Sequence, residues 1–306
     1  MKKISRRKFI HGSSILGASL VLFKDAKAGR MFLRSRGFDI VIKGGHVIDG
    51  SGKKEFLVDI GIKDGKIIKI GNLDSVDAET LINARGLKVV PGFIDIHSHT
   101  DSDLILNPKA ESKIRQGVTT EVTGQDGSSW GPLGGKDLER TLKNFKEEYG
   151  EELTWRTIGE FLDSFSSRKF SVNLASMVGF GTVREFVVGL DDRPASINEM
   201  NLMRQEVSKA ISEGAVGLST GLEYTPGSYA STEELIELCK AAPSSSRLYS
   251  THMRNEDNTV LEAIDEAIRI AKESSSRLLI SHLKVSGKSN LAGSASISIH
   301  LLLLLQ

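Results

Sequence analysis

From residue 93 onward, the chain alternates short apolar or β-branched runs with polar segments of helical spacing. This alternation is typical of βα units that build a parallel sheet, because each strand returns through a helix that covers the sheet. NEMNLMRQEVSKAISEG and NTVLEAIDEAIRIAKES are two of the helical segments. The sequence therefore predicts six parallel strands, at residues 93–96, 118–123, 172–177, 215–219, 248–250 and 278–281.

The order of these units favours a barrel over an open sheet. Several candidate site residues fall at successive strand ends, and a barrel makes such ends converge. We predict an α/β fold in which residues 91–290 form an incomplete (β/α)8 TIM-type barrel of about six βα units. A closed barrel takes about 250 residues, so two units are expected to be missing. Residues 291–306, LAGSASISIHLLLLLQ, are predicted to be an aberrant low-complexity tail.

A different pattern precedes the barrel. FDIVIKGGHVID, FLVDIGIKDGKIIKIG and TLINARGLKVV are rich in Val and Ile with alternating faces, as in short strands. Asp64 and Gly65 form a two-residue turn signal between two of the strands. We predict that residues 29–90 fold as a small β-sandwich module.

The first 28 residues have the composition of an export signal. A basic start, MKKISRRKFI, precedes the apolar run IHGSSILGASLVLF, and DAKA ends in small residues. Arg6 and Arg7 resemble a twin-arginine signal. The alternative is a membrane anchor, but the apolar run is shorter than the roughly 20 residues that span a bilayer. We expect a removed signal, a periplasmic or extracellular protein, and no stable membrane association afterwards.

Composition excludes some classes of partner and site. The 40 basic and 39 acidic residues are interspersed, so no basic patch for nucleic acid is expected. Cys239 is the only cysteine. An intramolecular disulfide framework and a multi-cysteine zinc site are therefore impossible.

Two histidines lie at the end of the first predicted barrel strand, in PGFIDIHSHTD. Alternate residues of a strand face the same side. His97 and His99 should therefore point together, at the carboxyl end of the strand, where barrel active sites lie. Such a pair can hold one divalent ion from one face.

Further ligand residues end other strands. Asp126 follows the second strand between two glycines, His252 ends the fifth, and His282 ends the sixth. With His97 and His99 they make four histidines and one carboxylate at one mouth of the barrel. Neutral imidazole and carboxylate oxygen are suitable ligands for zinc and related ions. The sequence therefore predicts a site for one or two Zn²⁺ ions.

These residues lie in five longer motifs of the chain. The motifs are VVPGFIDIHSHTD, GVTTEVTGQDG, GAVGLSTGLEYTPGSYAS, STHMRNE and ISHLKVSGKSN. In them the chain resembles the N-acyl-D-amino-acid deacylase (D-aminoacylase) branch of the amidohydrolase superfamily, from about residue 38 to 290. The fourth strand, GAVGLSTG, lacks the lysine that dihydroorotase-like and hydantoinase-like members carboxylate.

The resemblance implies metal-dependent hydrolysis of N-acyl-D-amino acids and a role for each matching residue. His252 and His282 would hold the tightly bound metal, and His97 and His99 the weakly bound one. Asp126 stands at the bridging position, where well-known D-aminoacylases have cysteine. Of the remaining residues, Tyr224 would contribute a hydroxyl to the substrate site, and Lys284 would pair with the substrate carboxylate.

The family's proton-transferring aspartate follows an eighth strand, which this sequence does not contain. The catalytic residue is therefore unknown, since Asp101 and Asp257 are unconvincing substitutes. Little deacylase activity is expected of the chain as written. The alternatives are another amidohydrolase, a dipeptidase or cyclic amidase, and a catalytically dead truncated remnant. Three residues keep two interpretations each: Glu121 as ligand or interior contact, and Arg254 and Glu256 as ligand supports or a helix-start salt bridge.

Overall fold

The computed structural model describes residues 37–135, 138–243 and 247–287. The predicted signal, residues 1–28, and the predicted tail, residues 291–306, lie outside these ranges. The chain divides into two compact units between Pro91 and Gly92. Within the described ranges, no helix is both long and apolar enough to cross a membrane.

The described part of the first unit is a single five-stranded sheet. Its strands are β1 (Phe38–Val47), β2 (Phe56–Lys63), β3 (Lys66–Gly71), β4 (Ala78–Asn83) and β5 (Lys88–Val89). The sheet order is β3-β2-β1-β4, and β5 also pairs with β1. Residues 37–90 thus form one sheet where the sequence predicted a small sandwich of two. Several apolar side chains of this sheet, including Leu57, Ile67 and Leu81, are exposed within the described residues.

The turn between β2 and β3 follows from its sequence. Asp64 and Gly65 both have positive φ, 50° and 70°, as the tight hairpin turns that match strand twist require. Glycine adopts this conformation without steric cost, and aspartate tolerates it better than most residues. The two strands therefore pair antiparallel directly across the turn.

The described residues of the second unit form seven short strands, all parallel to their neighbours. The strands are β6 (Phe93–Asp95), β7 (Val118–Thr123), β8 (Asn173–Ser176), β9 (Val178–Gly179), β10 (Leu218–Gly221), β11 (Leu248–His252) and β12 (Arg277–Ile280). One sheet has the order β6-β7-β8 and the other the order β12-β11-β10-β9.

The two parallel sheets share one stretch of chain. Only Met177 separates β8 from β9, and its amide donates to Thr123 O of β7 at 2.9 Å. The next amide, of Val178, donates to Gly217 O beside β10, also at 2.9 Å. β8 and β9 are therefore two parts of one strand that passes from the first sheet to the second. Counted in this way, the described residues form six parallel strands in chain order. The predicted α/β fold with a partial barrel is confirmed, with strand ends shifted by a few residues.

Helices connect these strands and cover them. Capping boxes begin two of the helices: the Thr157 and Ser196 side chains accept from the amides of Glu160 and Glu199. Leu218, Leu235 and Tyr249 lie in the largest buried cluster, between strands and helices. The helices are α1 (Asp103–Leu106), α2 (Glu111–Ile114), α3 (Leu138–Tyr149), α4 (Ile158–Ser166), α5 (Phe180–Val187), α6 (Ile197–Ser212), α7 (Thr232–Lys240) and α8 (Val260–Ser274).

Candidate metal centre

The carboxyl ends of the parallel strands bring the predicted ligands to one place. His97 and His99 follow β6, Asp126 follows β7, His252 is the last residue of β11, and His282 follows β12. Parallel strands of one barrel direct their carboxyl ends to the same side. The five side chains therefore meet although they are far apart in the chain.

The turn that carries Asp126 is unusually tight. Asp126 has a φ of 54° and lies among Gly124 and Gly127, with φ values of 70° and 77°. A Cβ on Gly124 would lie 2.3 Å from Met177 O, and one on Gly127 would lie 2.8 Å from Gly221 N. Only glycine fits so close to the neighbouring backbone. The turn therefore presses against the next strands and directs the Asp126 carboxylate into the centre.

The first half of the centre contains His97, His99 and Asp126. The two Nε2 atoms are 3.1 Å apart, and Asp126 Oδ2 lies 3.6 Å from His97 Nε2 and 3.2 Å from His99 Nε2. A tetrahedral zinc with bonds of about 2.0–2.2 Å separates its ligand atoms by about 3.3 Å. The three atoms are spaced like three of the four ligand atoms around a tetrahedral zinc.

The second half uses the same carboxylate oxygen. His252 Nδ1 and His282 Nε2 are 3.0 Å apart. Asp126 Oδ2 lies 3.8 Å from the former and 3.7 Å from the latter. Oδ2 therefore faces both histidine pairs, the arrangement in which one carboxylate serves two metal positions.

The unsatisfied polar atoms also fit a metal. Asp126 Oδ1 and His97 Nδ1 are buried, and neither has a hydrogen-bond partner among the described residues. Burial lowers the pKa of His97, against the opposing charge of Asp126. A neutral imidazole is the form that binds a metal ion. The donor set, nitrogen and carboxylate oxygen, is one that zinc accepts.

Two glutamates contact the remote nitrogens of the second pair. Glu223 Oε2 lies 2.9 Å from His252 Nε2, and Glu256 Oε1 lies 2.9 Å from His282 Nδ1. For His252, the Glu223 carboxylate fixes which ring nitrogen carries the proton, and it leaves Nδ1, which faces Asp126, as the ligand atom. Glu256 Oε1 lies at ion-pair distance from His282 Nδ1 but makes no hydrogen bond among the described residues. The His282 nitrogen that faces Asp126 is Nε2.

Sequence reasoning missed Glu223 and left Glu256 with two interpretations. The structure places Glu256 beside His282, at ion-pair distance from its Nδ1. Arg254 instead forms an ion pair with Glu266 of α8, at 2.9 Å. Glu223 directly precedes Tyr224, and an acidic residue just after a predicted strand end was the available signal.

The two predicted substrate residues lie beside the second pair. The Tyr224 hydroxyl is 3.4 Å from His252 Nδ1, and burial raises the pKa of Tyr224, so its hydroxyl stays protonated at neutral pH. The Lys284 ammonium contacts the Glu256 carboxylate and lies 3.3 Å from His282 Nδ1. Both side chains are half-exposed.

Three acidic residues considered from sequence make other contacts. Asp257 accepts from the amide of Asn258 in a local turn. Asp101 accepts from the Gly124 amide at 2.9 Å, and burial raises its pKa to about 6. Glu121 is fully buried and bonds to the Ser98 hydroxyl at 2.5 Å. Glu121 is therefore an interior contact and not a ligand.

Two cavities adjoin the centre. One, of about 390 Å³, is bordered by His99, Asp126 and Tyr224. The other, of about 350 Å³, also reaches His99 and extends to Trp130 and Phe186. A small molecule in the first cavity would lie directly against the candidate ligands.

The chain is similar to several characterised proteins, although no family model matches it. It is 38% identical to the D-aminoacylase of Alcaligenes xylosoxydans xylosoxydans over 256 residues, which are 84% of this chain and 52% of that protein. The chain thus spans about half the length of the curated relatives it matches.

Two solved structures extend this similarity. A D-aminoacylase studied for the role of its binuclear metal centre is 34% identical, with a TM-score of 0.73 over 87% of this chain and 56% of that one. The N-acyl-D-glutamate deacylase of Bordetella bronchiseptica, complexed with zinc and a phosphonate mimic of the tetrahedral intermediate, is 32% identical. Its TM-score is 0.74, over 86% of this chain and 56% of that one.

Proposed function

This chain is a homologue of the N-acyl-D-amino-acid deacylases of the amidohydrolase superfamily, and we propose that it hydrolyses the amide bond of N-acyl-D-amino acids with zinc. The products are a carboxylate and a free D-amino acid. One observation carries the proposal: a single carboxylate oxygen of Asp126 lies within 3.2–3.8 Å of a nitrogen of each of four histidines. That donor set adjoins a cavity large enough for a small substrate.

The ligands divide into two groups that share Asp126. His252 and His282 would hold the tightly bound ion, and His97 and His99 the more weakly bound one. A bound zinc would polarise the amide carbonyl and lower the pKa of a water molecule, so that hydroxide is available for attack near neutral pH. The Glu223 carboxylate supports the assignment of tighter binding, because it orients His252 and raises the basicity of its imidazole.

The bridging carboxylate distinguishes this chain from the D-aminoacylases that it resembles. The resemblance implies a cysteine at this position in those enzymes, and its sulfur would be a softer ligand than the carboxylate oxygen of Asp126. Oxygen ligands suit a wider range of divalent ions, including Mn²⁺. We therefore propose zinc as the cofactor but expect weaker discrimination against harder ions than a thiolate bridge would give.

Tyr224 and Lys284 would bind the substrate. The Tyr224 hydroxyl, beside His252 Nδ1 and on the wall of the 390 Å³ cavity, can donate to a carbonyl oxygen. The Lys284 ammonium is half-exposed and already lies against a carboxylate, that of Glu256. The ammonium would bind the substrate carboxylate in addition to the carboxylate of Glu256. These contacts would position the amide and not perform the chemistry.

The test uses zinc-reconstituted protein and pairs of N-acetyl-D- and N-acetyl-L-amino acids. We expect zinc-dependent binding of the D-enantiomers and only slow hydrolysis, because no proton-transferring aspartate is identified among the described residues. Chelator-treated protein and the L-enantiomers are the controls. Equilibrium binding of the same compounds to the zinc-loaded protein is measured alongside. A protein that neither hydrolyses nor binds any N-acetyl-D-amino acid would contradict the proposal. Preferential hydrolysis of a dipeptide or a hydantoin would show that the substrate is a different class of amide.

We also propose export, from residues outside the described ranges. Arg6, Arg7, the apolar run that follows them and the small residues ending at Ala28 support a twin-arginine signal that is removed. The mature protein would then act in the periplasm or outside the cell, free of the membrane and of nucleic acid. N-terminal sequencing of exported protein should begin near residue 29. A mature chain that still begins at Met1 in the membrane fraction would indicate an anchor.

A further inference from the structure

A buried ionic network lies behind the His97 and His99 strand end. Glu121 of β7 is fully buried, and its Oε2 lies 3.4 Å from the ammonium of Lys113 in α2. The same ammonium lies 2.6 Å from Asp95 Oδ2 in β6. The network therefore connects two adjacent strands and the helix between them.

Hydroxyl groups join this network to the residues that alternate with the histidines. Ser98 Oγ donates to Glu121 Oε2 at 2.5 Å and accepts from Lys113 at 3.2 Å. The Thr100 hydroxyl also donates to Glu121 Oε2. Because side chains alternate along an extended chain, Ser98 and Thr100 point away from the two imidazoles. Their bonds to Glu121 therefore hold the segment from the side opposite to His97 and His99.

The regular sheet contributes little at this point. β6 ends at Asp95, two residues before His97. Beyond it, Ser98 N donates to Val122 O at 3.1 Å, and His97 N donates to Asp95 Oδ1 at 3.2 Å. The acceptor of the second bond, Asp95, belongs to the network. Side-chain bonds therefore supply much of the order that a longer strand would give.

The network is a costly way to stabilise the fold. Glu121 Oε1 is buried without a hydrogen-bond partner among the described residues, and an unsatisfied buried polar atom costs free energy. Buried ion pairs can often be replaced by apolar residues of similar volume without loss of stability. Because the network lies beside candidate metal ligands, its position points to a role in orienting those ligands.

We infer that Glu121, with Lys113 and Asp95, is a positioning residue for one half of the metal centre. It fixes the backbone that presents His97 and His99, and so sets the metal affinity of that half without affecting the half formed by His252 and His282. This inference rests on the zinc binding of the proposed function, but it does not require deacylase activity.

The test compares two backgrounds that each keep one histidine pair. His252→Ala/His282→Ala retains the first half, and His97→Ala/His99→Ala retains the second. Zinc affinity is measured by competition with a chromophoric chelator. Glu121→Gln should weaken zinc binding about 10- to 100-fold in the first background, as is typical for loss of an outer support, and less than about threefold in the second.

Glu234→Gln is the matched control. Glu234 is buried in α7 and pairs with the buried Arg184 at 3.3 Å, so its loss also breaks a buried ion pair, away from the candidate ligands. It should lower the melting temperature while leaving both zinc affinities unchanged. Equal weakening of the two halves by Glu121→Gln, or no weakening of either, would overturn the inference.

A second pair of variants covers the case in which Glu121→Gln fails to fold. Ser98→Ala and Thr100→Val each remove one hydroxyl link and leave the ion pairs in place. Their combination should weaken zinc binding in the first background alone, and unchanged affinity there would overturn the inference. Failure of the unsubstituted protein to bind zinc would instead contradict the proposed function, and the inference with it.

Discussion

The two histidine pairs that face Asp126 are held by different means. His252 and His282 have carboxylates at their remote nitrogens. His97 Nδ1 has no such partner among the described residues, and the His99 side chain is 58% exposed, against 6% for His252. One pair has charged partners at its own rings, and the other is held through its backbone. A direct contact restricts the imidazole more than a distant one, so we expect the His252 half to bind metal more tightly.

Removing each pair should have the largest effect. His252→Ala/His282→Ala should abolish the tight site and leave less than about 0.2 zinc per chain after dialysis against a weak chelator. His97→Ala/His99→Ala should leave close to one zinc under the same conditions. Elemental analysis decides between these outcomes. A reversed order of zinc retention would break the comparison, because it would make the exposed pair the stronger one.

The remote carboxylates provide the next test. Glu223→Gln should weaken zinc binding at the His252 half about 10- to 100-fold, because loss of an outer carboxylate lowers imidazole basicity and frees the tautomer. Zinc titration of the variant in the His97→Ala/His99→Ala background measures this directly. The same substitution in the opposite background serves as the control and should leave the affinity unchanged. Equal losses in both would mean that Glu223 acts on the fold as a whole.

Lys284 sharpens the comparison from the substrate side. It shares Glu256 with His282, so Lys284→Ala removes a cation near the tighter half. If Lys284 binds the substrate carboxylate, kcat/KM for N-acetyl-D-amino acids should fall by about tenfold, roughly 1.4 kcal/mol. Zinc content should stay the same. Lost zinc with unchanged KM would assign Lys284 to the support of Glu256 instead.

Much of the centre follows from the sequence because strand ends converge in a barrel. His97, His99, Asp126, His252 and His282 each end or follow a predicted strand, and the structure brings all of them around one oxygen. The supports could not be located in the same way. Glu223 reaches across to the ring of a residue 29 positions later, a contact that depends on side-chain direction and not on strand order.

The interpretation of Glu121 shows the same limit within a single strand. A glutamate in an apolar strand indicates a buried polar contact, but the sequence does not reveal what it contacts. Its partners, Ser98 and Thr100, lie on the neighbouring strand end and alternate with the ligands. Glu121 pairs with Asp95, so strict alternation beyond Asp95 would have put the carboxylate on the same face as His97 and His99. Regular pairing ends at Asp95, and the chain beyond it turns Ser98 and Thr100 towards Glu121 instead.

The shared carboxylate gives the smallest expected difference between the halves. Asp126→Cys exchanges oxygen for a softer thiolate, which zinc favours. Asp126 also has a left-handed backbone, with a φ of 54°, where aspartate is tolerated better than cysteine, and such a conformation costs about 1–2 kcal/mol per residue. The two effects oppose each other. Because Oδ2 faces both pairs, whatever net change results should appear equally in the two single-pair backgrounds, within about threefold. Zinc titration of Asp126→Cys in both backgrounds measures it, with Asp126→Asn as a control that keeps the backbone preference and removes the charge. A response confined to one half would show that Asp126 serves that half alone, and the two pairs would then be separate sites rather than one bridged centre.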